Sequence, residues 1–271
     1  MSRVTEDGEV RFPAGFGLGD IVRWGTTGLV VLDESSNTVI KVPFDHGCER
    51  NQLCFQRERE IYERFVQHGG HVGLLTYHGA IESGIRLEYA SNHNLRLNVR
   101  KDDVGHDQRL QWAVQVADAI GFIHEAGVIH GDLTCANIFV DAALKARVAD
   151  FAGSSIDGSP LLVLVIESHE FPGPLLSTQA DLFALGSVLY EIMTGQPPYK
   201  GLDDEEIRDL YLKGKFPEIS TLGAVGFIIE ECWQTSYSGA EAVAEGLRGI
   251  PPTSAVESLD KNAGDTPGKS P

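Results

Sequence analysis

A chain of 271 residues, 42% of them hydrophobic, can bury one large core or two small lobes around a cleft without disulfides. Its formal net charge of −17 excludes capture of nucleic acid or of an anionic membrane by bulk electrostatics. Cys48, Cys54, Cys135 and Cys232 have neither metal-ligand nor disulfide-framework spacing, so reduced thiols and a cytoplasmic location are expected, a nuclear one being compatible.

The first residues lack the apolar core of a signal peptide. Residues 21–23, 28–32 and 38–42 are β-rich runs separated by small or polar turn residues. Residues 50–66 read as a helix, with Leu53, Ile61, Tyr62 and Phe65 at mixed helical spacing and charges between. Residues 74–80 and 85–89 read as two further strands. From Leu95 onward helices dominate. Asp107 is placed to cap a helix whose apolar stripe is Leu110, Ala113, Val114, Ala117 and Ile120, with Gly127 as its stop. Residues 182–193 are apolar almost all round, as in a helix buried on every side, and end before Gly195. Residues 205–213, 222–233 and 239–247 follow as shorter helices, and 251–271 read as a disordered tail. The apolar run 161–166 is too short to cross a bilayer. It is expected to dock as a strand or contact surface, either back beneath the turn at Gly25 and the helix carrying Glu58, or against another chain or an apolar substrate segment.

The chemistry lies in Ile129-His130-Gly131-Asp132, then Asn137, then Asp150-Phe151-Ala152-Gly153. The first carboxylate can orient a hydroxyl and accept its proton. The amide and the second carboxylate can hold magnesium against nucleotide phosphates. A capped turn after a helix would explain Asp132 and Asn137 alone, but not Asp150 together with Lys41 in Val39-Ile40-Lys41.

These motifs, in this order over about residues 21–247, resemble those of eukaryotic protein kinases, and the chain is similar to small kinase-like proteins of filamentous fungi. The resemblance implies a bilobal α+β domain over 16–250, with a β-rich N-lobe at about 16–87 and a helical C-lobe at about 91–250. It implies ATP and Mg2+ as cofactors, a protein substrate, and transfer of the γ-phosphoryl group to a protein hydroxyl. Arg23-Trp24-Gly25-Thr26-Thr27-Gly28-Leu29-Val30 resembles the phosphate loop, with Gly25 and Gly28 retained and Arg23 in place of the first glycine. Lys41 would pair with the phosphates and be held by Glu58. Glu60 is the rival, and it falls on the solvated face once Ile61 and Tyr62 pack. Leu87 would be the gatekeeper, and the backbone of Glu88, Tyr89 and Ala90 would bond adenine, sandwiched by Val30 and Val39 above and Phe139 below. Asp132 would be the catalytic base, Asn137 and Asp150 the metal ligands, Asp181 a brace for the catalytic-loop backbone, and His130 a packed histidine. Neither nucleic acid nor membrane is implied as a partner, and nothing specifies an oligomeric state.

Two other readings compete. The HGDLxxxN pattern also occurs in small-molecule phosphotransferases of the aminoglycoside and choline kinase type, but residues 177–199 resemble the segment around the central buried helix of protein kinases. A kinase-fold module without catalysis, binding nucleotide or a partner, is the other. Gly131 replaces the Arg that receives a phosphorylated activation loop, so activity is expected without that phosphate. Ala152 replaces a Gly, and residues 167–172 lack the Ala-Pro-Glu motif. The late Arg that pairs with that motif's Glu is missing too, so both ends of the ion pair are expected to be lost. Thr134 stands where Ser/Thr kinases carry Lys, and no tyrosine-kinase signature replaces it; a Ser/Thr acceptor is expected as the commoner class.

Overall fold

The computed structural model describes residues 12–44, 47–82 and 84–252. The expected tail lies, beyond Pro252, outside the described residues. The first part is an antiparallel sheet of β1 (Ile21–Trp24), β2 (Gly28–Asp33), β3 (Thr38–Pro43), β4 (Tyr77–Ile81) and β5 (Gly84–Glu88), in the order β1-β2-β3-β5-β4. Gly28 is required by close approach: a Cβ there would lie 2.2 Å from the Val42 carbonyl oxygen on β3. One face of the sheet packs Leu29, Val31, Ile40 and Val42 together. Between β3 and β4 runs helix α1 (Glu49–Gln67), which buries Cys54, Arg57, Glu58, Ile61, Tyr62 and Phe65 at helical spacing. Leu53, expected on that face, is 46% exposed, because its position turns it away from β3 and β4.

The second part is helical: α2 (Leu95–Asn98), α3 (His106–Glu125), α4 (Thr178–Thr194), α5 (Asp204–Leu212), α6 (Gly223–Trp233) and α7 (Ala240–Arg248). Asp107 does not cap α3; Gly105 is the N-cap and Asp107 sits in the first turn, where its charge suits the helix N-terminus. Helix α4 is the axis of this lobe. Ser177 caps its start by accepting from the Ala180 amide, and Gly195, at φ 77°, ends it. Leu182, Phe183, Leu185, Val188, Leu189 and Ile192 of α4 are fully buried, each worth roughly 1.5–3 kcal/mol. Helices α3 and α6 pack on it, and the Trp233 indole donates to Ser187 Oγ at 3.0 Å.

Four short strands that the sequence did not announce line the side facing the sheet. They are β6 (Val128–Ile129) paired with β9 (Ser155–Ile156), and β7 (Ile138–Val140) paired with β8 (Ala146–Val148). At two or three residues each, they are too short for alternation to register. The turn joining β6 to β7 carries Asp132 and Asn137, and the turn joining β8 to β9 carries Asp150. The second turn lines the cleft that the two parts share through Asp150, and the first meets β1 through Ala136 and Asn137.

The run 161–166 forms no strand. It folds back on its own chain: Leu161, Leu162, Val163 and Val165 are half-buried, whereas Leu164 is 86% exposed. The Leu162 amide donates to the Gly153 carbonyl at 2.9 Å, and Arg50 and Arg57 of α1 donate to the carbonyls of Leu162 and Pro160.

Candidate active site

Lys41 lies on β3, held in register between β2 and β5. Its ammonium stands 2.7 Å from Glu58 Oε2 on α1 and 2.7 Å from Asp150 Oδ1. Burial works against the Lys41 charge, but the two carboxylates outweigh it and raise its pKa. Burial raises the Glu58 pKa, Lys41 opposing it in part. For Asp150 the balance reverses: against burial, Lys41 and then Arg23 hold the carboxyl below its ordinary value. Glu60, by contrast, is exposed and bonded to Gln56.

Asp150 has φ 69°, an uncommon conformation for a side-chain-bearing residue. The neighbour holds it there. Phe151 is fully buried against Tyr62 and Phe65 of α1 and against the His130 ring, with centroids 5.3, 5.0 and 5.2 Å away. The Phe151 amide also donates to Glu58 Oε1 at 3.3 Å.

The turn between β6 and β7 is fixed from below. Buried Asp181, in the first turn of α4, accepts from the amides of His130 at 2.7 Å and Gly131 at 2.9 Å, and contacts His124 Nε2 at 2.9 Å. Against burial, these partners hold its pKa below the usual carboxylate value. Asn137 Nδ2 donates to Asp132 Oδ2 at 2.8 Å and to the Asp132 carbonyl at 2.9 Å. Burial raises the Asp132 pKa, with His130 and Asn137 opposing.

A cleft of about 530 Å³ opens between the lobes. Its walls include Gly25, Gly28, Val30, Val39, Lys41, Glu58, Leu87, Glu88, Tyr89, Ala90, Phe139 and Asp150, while Asp132 and Asn137 lie outside those walls. The sequence did not single out Leu75 and Ala149, which complete an apolar floor with Ala90 and Phe139. The Glu88 amide donates to the Thr76 carbonyl at 2.9 Å, so that amide is not free for a ligand in the cleft.

Arg23, noted in the sequence only as a departure, is in the site. From β1 it crosses to the other lobe, where Nη1 donates to the Ala136 carbonyl at 3.2 Å and Nη2 to Asn137 Oδ1 at 3.3 Å. Nη2 also stands 3.7 Å from Asp150 Oδ2, and the guanidinium carbon lies 5.1 Å from the Phe139 ring centroid. Asn137 and Asp150 are oxygen donors of the class magnesium takes. As arranged they do not fit a divalent ion, because Lys41 and Arg23 already take the oxygens it would need.

The segment after Asp150 is packed into the body of the domain: Ser154 and Ser155 are fully buried, and the Ser154 hydroxyl donates to the His130 carbonyl. Farther along, Arg208 of α5, half exposed, reaches Glu167 at 3.2 Å and Glu170 at 3.7 Å.

The protein kinase domain family matches residues 49–242. The chain is 26% identical over 190 residues to mitogen-activated protein kinase kinase kinase 1 of Arabidopsis thaliana, covering 65% of this chain and 31% of that protein. It is 26% identical over 161 residues to the RGS domain-containing serine/threonine-protein kinase A of Dictyostelium discoideum, covering 56% and 14%. It is 28% identical over 166 residues to the human receptor tyrosine-protein kinase erbB-4, covering 55% and 12%. The chain thus spans less than a third of the length of these relatives, which include both acceptor classes. Among the described residues no helix is long and apolar enough to cross a membrane. With its antiparallel sheet and α1 set on a helical lobe, the chain belongs to the protein kinase domain family.

Proposed function

We propose that the chain transfers the γ-phosphoryl group of ATP to a protein hydroxyl, of Ser or Thr. The observation that carries this reading is Lys41 bridging Glu58 and Asp150 at 2.7 Å each, which sets a fixed cation at the back of an apolar-floored cleft. Adenine would lie between Val30 and Val39 above and Phe139 below, bonding the Glu88 carbonyl and the backbone of Tyr89 and Ala90. Leu87 would close the back of the cleft. Lys41 would hold the α- and β-phosphates, and the turn of Gly25 and Gly28 would cover them. Asp132 keeps one carboxylate oxygen on Asn137, which leaves Oδ1 for the substrate hydroxyl. Burial makes that carboxylate a better base than a solvated one. As the hydroxyl proton passes to Asp132, the oxygen bonds the γ-phosphorus and the bond to the bridging oxygen breaks, leaving ADP with the electron pair. Magnesium would supply charge neutralisation for the leaving diphosphate in such chemistry, but Asn137 and Asp150, the side chains that would ligate it, hold Arg23 here.

Transfer of labelled γ-phosphoryl to degenerate Ser, Thr and Tyr peptides tests the reading. Asp132→Asn should lower it by about 10²–10⁴-fold. No transfer by wild type, or equal transfer by the variant, would leave the second reading, a nucleotide-binding or interaction module. The occupation of Asn137 and Asp150 by Arg23 is the observation that favours it.

A further inference from the structure

The charges around the cleft do not add up to a site for a divalent ion. Near Lys41 there are three carboxylates, those of Glu58, Asp150 and, just beyond the cleft wall, Asp132, of which Lys41 answers one; Glu88, at the other end of the cleft, is met by Thr76 and Arg147. Without Arg23 the deficit would be two, the charge of a dication. With Arg23 it is one: the guanidinium donates to Asn137 Oδ1 at 3.3 Å and stands 3.7 Å from Asp150 Oδ2, while Lys41 holds Asp150 Oδ1. Arg23 is not a loose surface side chain. It is held by a backbone carbonyl, an amide oxygen, a carboxylate and an aromatic face at once, all from the opposite lobe. Nη1 has one partner, the Ala136 carbonyl, and Nη2 has Asn137 and, at longer range, Asp150, so among the contacts observed Nε–H and one Nη1 hydrogen are left for a phosphate. A guanidinium also matches phosphate oxygens in a fork that an ammonium cannot offer.

We propose that Arg23 is the resident cation of this site. It takes the place of a divalent metal on Asn137 and Asp150 and, with Lys41, holds the nucleotide phosphates, so that nucleotide binding does not depend on magnesium. The proposal rests on the reading of the cleft as an ATP site. A metal ion can still enter, but only by displacing the guanidinium, so Arg23 also sets how much metal the site requires.

Calorimetric titration of ATP and adenosine into wild type, Arg23→Gly and Arg23→Gln, in EDTA and in millimolar magnesium, tests it. Adenosine reads the apolar cleft without the phosphates. Wild type should bind ATP with affinities within about 3-fold of each other in the two buffers. Both variants should bind adenosine as wild type does, lose at least about 10-fold of ATP affinity in EDTA, and recover it with magnesium. Strict magnesium dependence in wild type would overturn the proposal. So would variants that bind ATP more tightly in EDTA, which would make Arg23 a plug rather than a ligand. Spin-resonance titration with Mn2+ and no nucleotide is the independent arm: both variants should bind the ion at least about 10-fold more tightly than wild type. Equal Mn2+ affinity overturns the proposal. Failure of ATP and adenosine alike in every buffer would count against the ATP reading itself, and the Mn2+ arm would still decide whether Arg23 excludes the metal.

Discussion

Two stretches of irregular backbone meet beneath the cleft, and they are held by different physics. The turn between β6 and β7 is fixed by polar bonds: buried Asp181 takes two of its amides, Asp132 N donates to His130 Nδ1, and Asn137 closes on Asp132. The segment after Asp150 is fixed largely by shape. Gly131 has φ 70°, and a Cβ there would lie 2.4 Å from Leu161 Cδ2; a Cβ on Gly153 would lie 2.4 Å from Val163 Cβ. The apolar side chains fill what two glycines leave open. Arg57 adds bonds from α1 to the carbonyls of Ser154 and Pro160. The difference is one of means: the segment after Asp150 is held against a gap by volume, the turn between β6 and β7 by charge and hydrogen bonds.

The largest effect should come from the polar side. Asp181→Ala leaves two buried amides without their acceptor, and should cost about 3 kcal/mol or more in urea unfolding. A loss below about 1 kcal/mol would mean that water replaces the carboxylate and that the comparison is drawn too sharply. On the apolar side, Gly131→Arg restores the residue that kinases carry there, yet should destabilise by about 2 kcal/mol, since it strains a positive φ and evicts Leu161.

Acid should separate the two regions by pH. His169, at the end of the packed segment, is fully buried and its pKa falls to about 3, mainly from burial and then from Arg96. A base whose folded pKa lies below its unfolded value stabilises fully above the unfolded value, 6.5, and loses that contribution as pH falls. At pH 5 the loss should be about 2 kcal/mol, absent in His169→Gln. Asp181 has its folded pKa below the ordinary 3.8, so its contribution is present above that value and fades only as pH falls through the lower folded one. Equal acid sensitivity in wild type and His169→Gln between pH 6.5 and 5 would remove the distinction. The smallest effect belongs to Arg208→Ala, which breaks exposed pairs to Glu167 and Glu170 and should cost no more than about 0.5 kcal/mol.

The sequence carried the α+β architecture, because the sheet strands and the long helices are periodic, and the central helix is apolar nearly all round. Lys41, Asp132, Asn137 and Asp150 were legible as residue types at a spacing. What was not legible depends on reach. Arg23 acts 113 residues away, on Ala136, and no local pattern records where a long side chain lands. Leu161 against Gly131 is the same kind of contact: a missing side chain is visible in sequence, the one that fills its space is not. Asp107 misled because Gly105 caps α3 without any side-chain bond.

Hydrogen exchange of phosphate-free protein tests most directly whether packing orders the segment after Asp150. The Leu162 amide, bonded to the Gly153 carbonyl, should be protected at least about 10²-fold over free peptide in dilute solution, and should lose most of that protection in Gly131→Arg. Unprotected exchange at Leu162 in wild type, or protection that appears only after phosphorylation, would contradict the account.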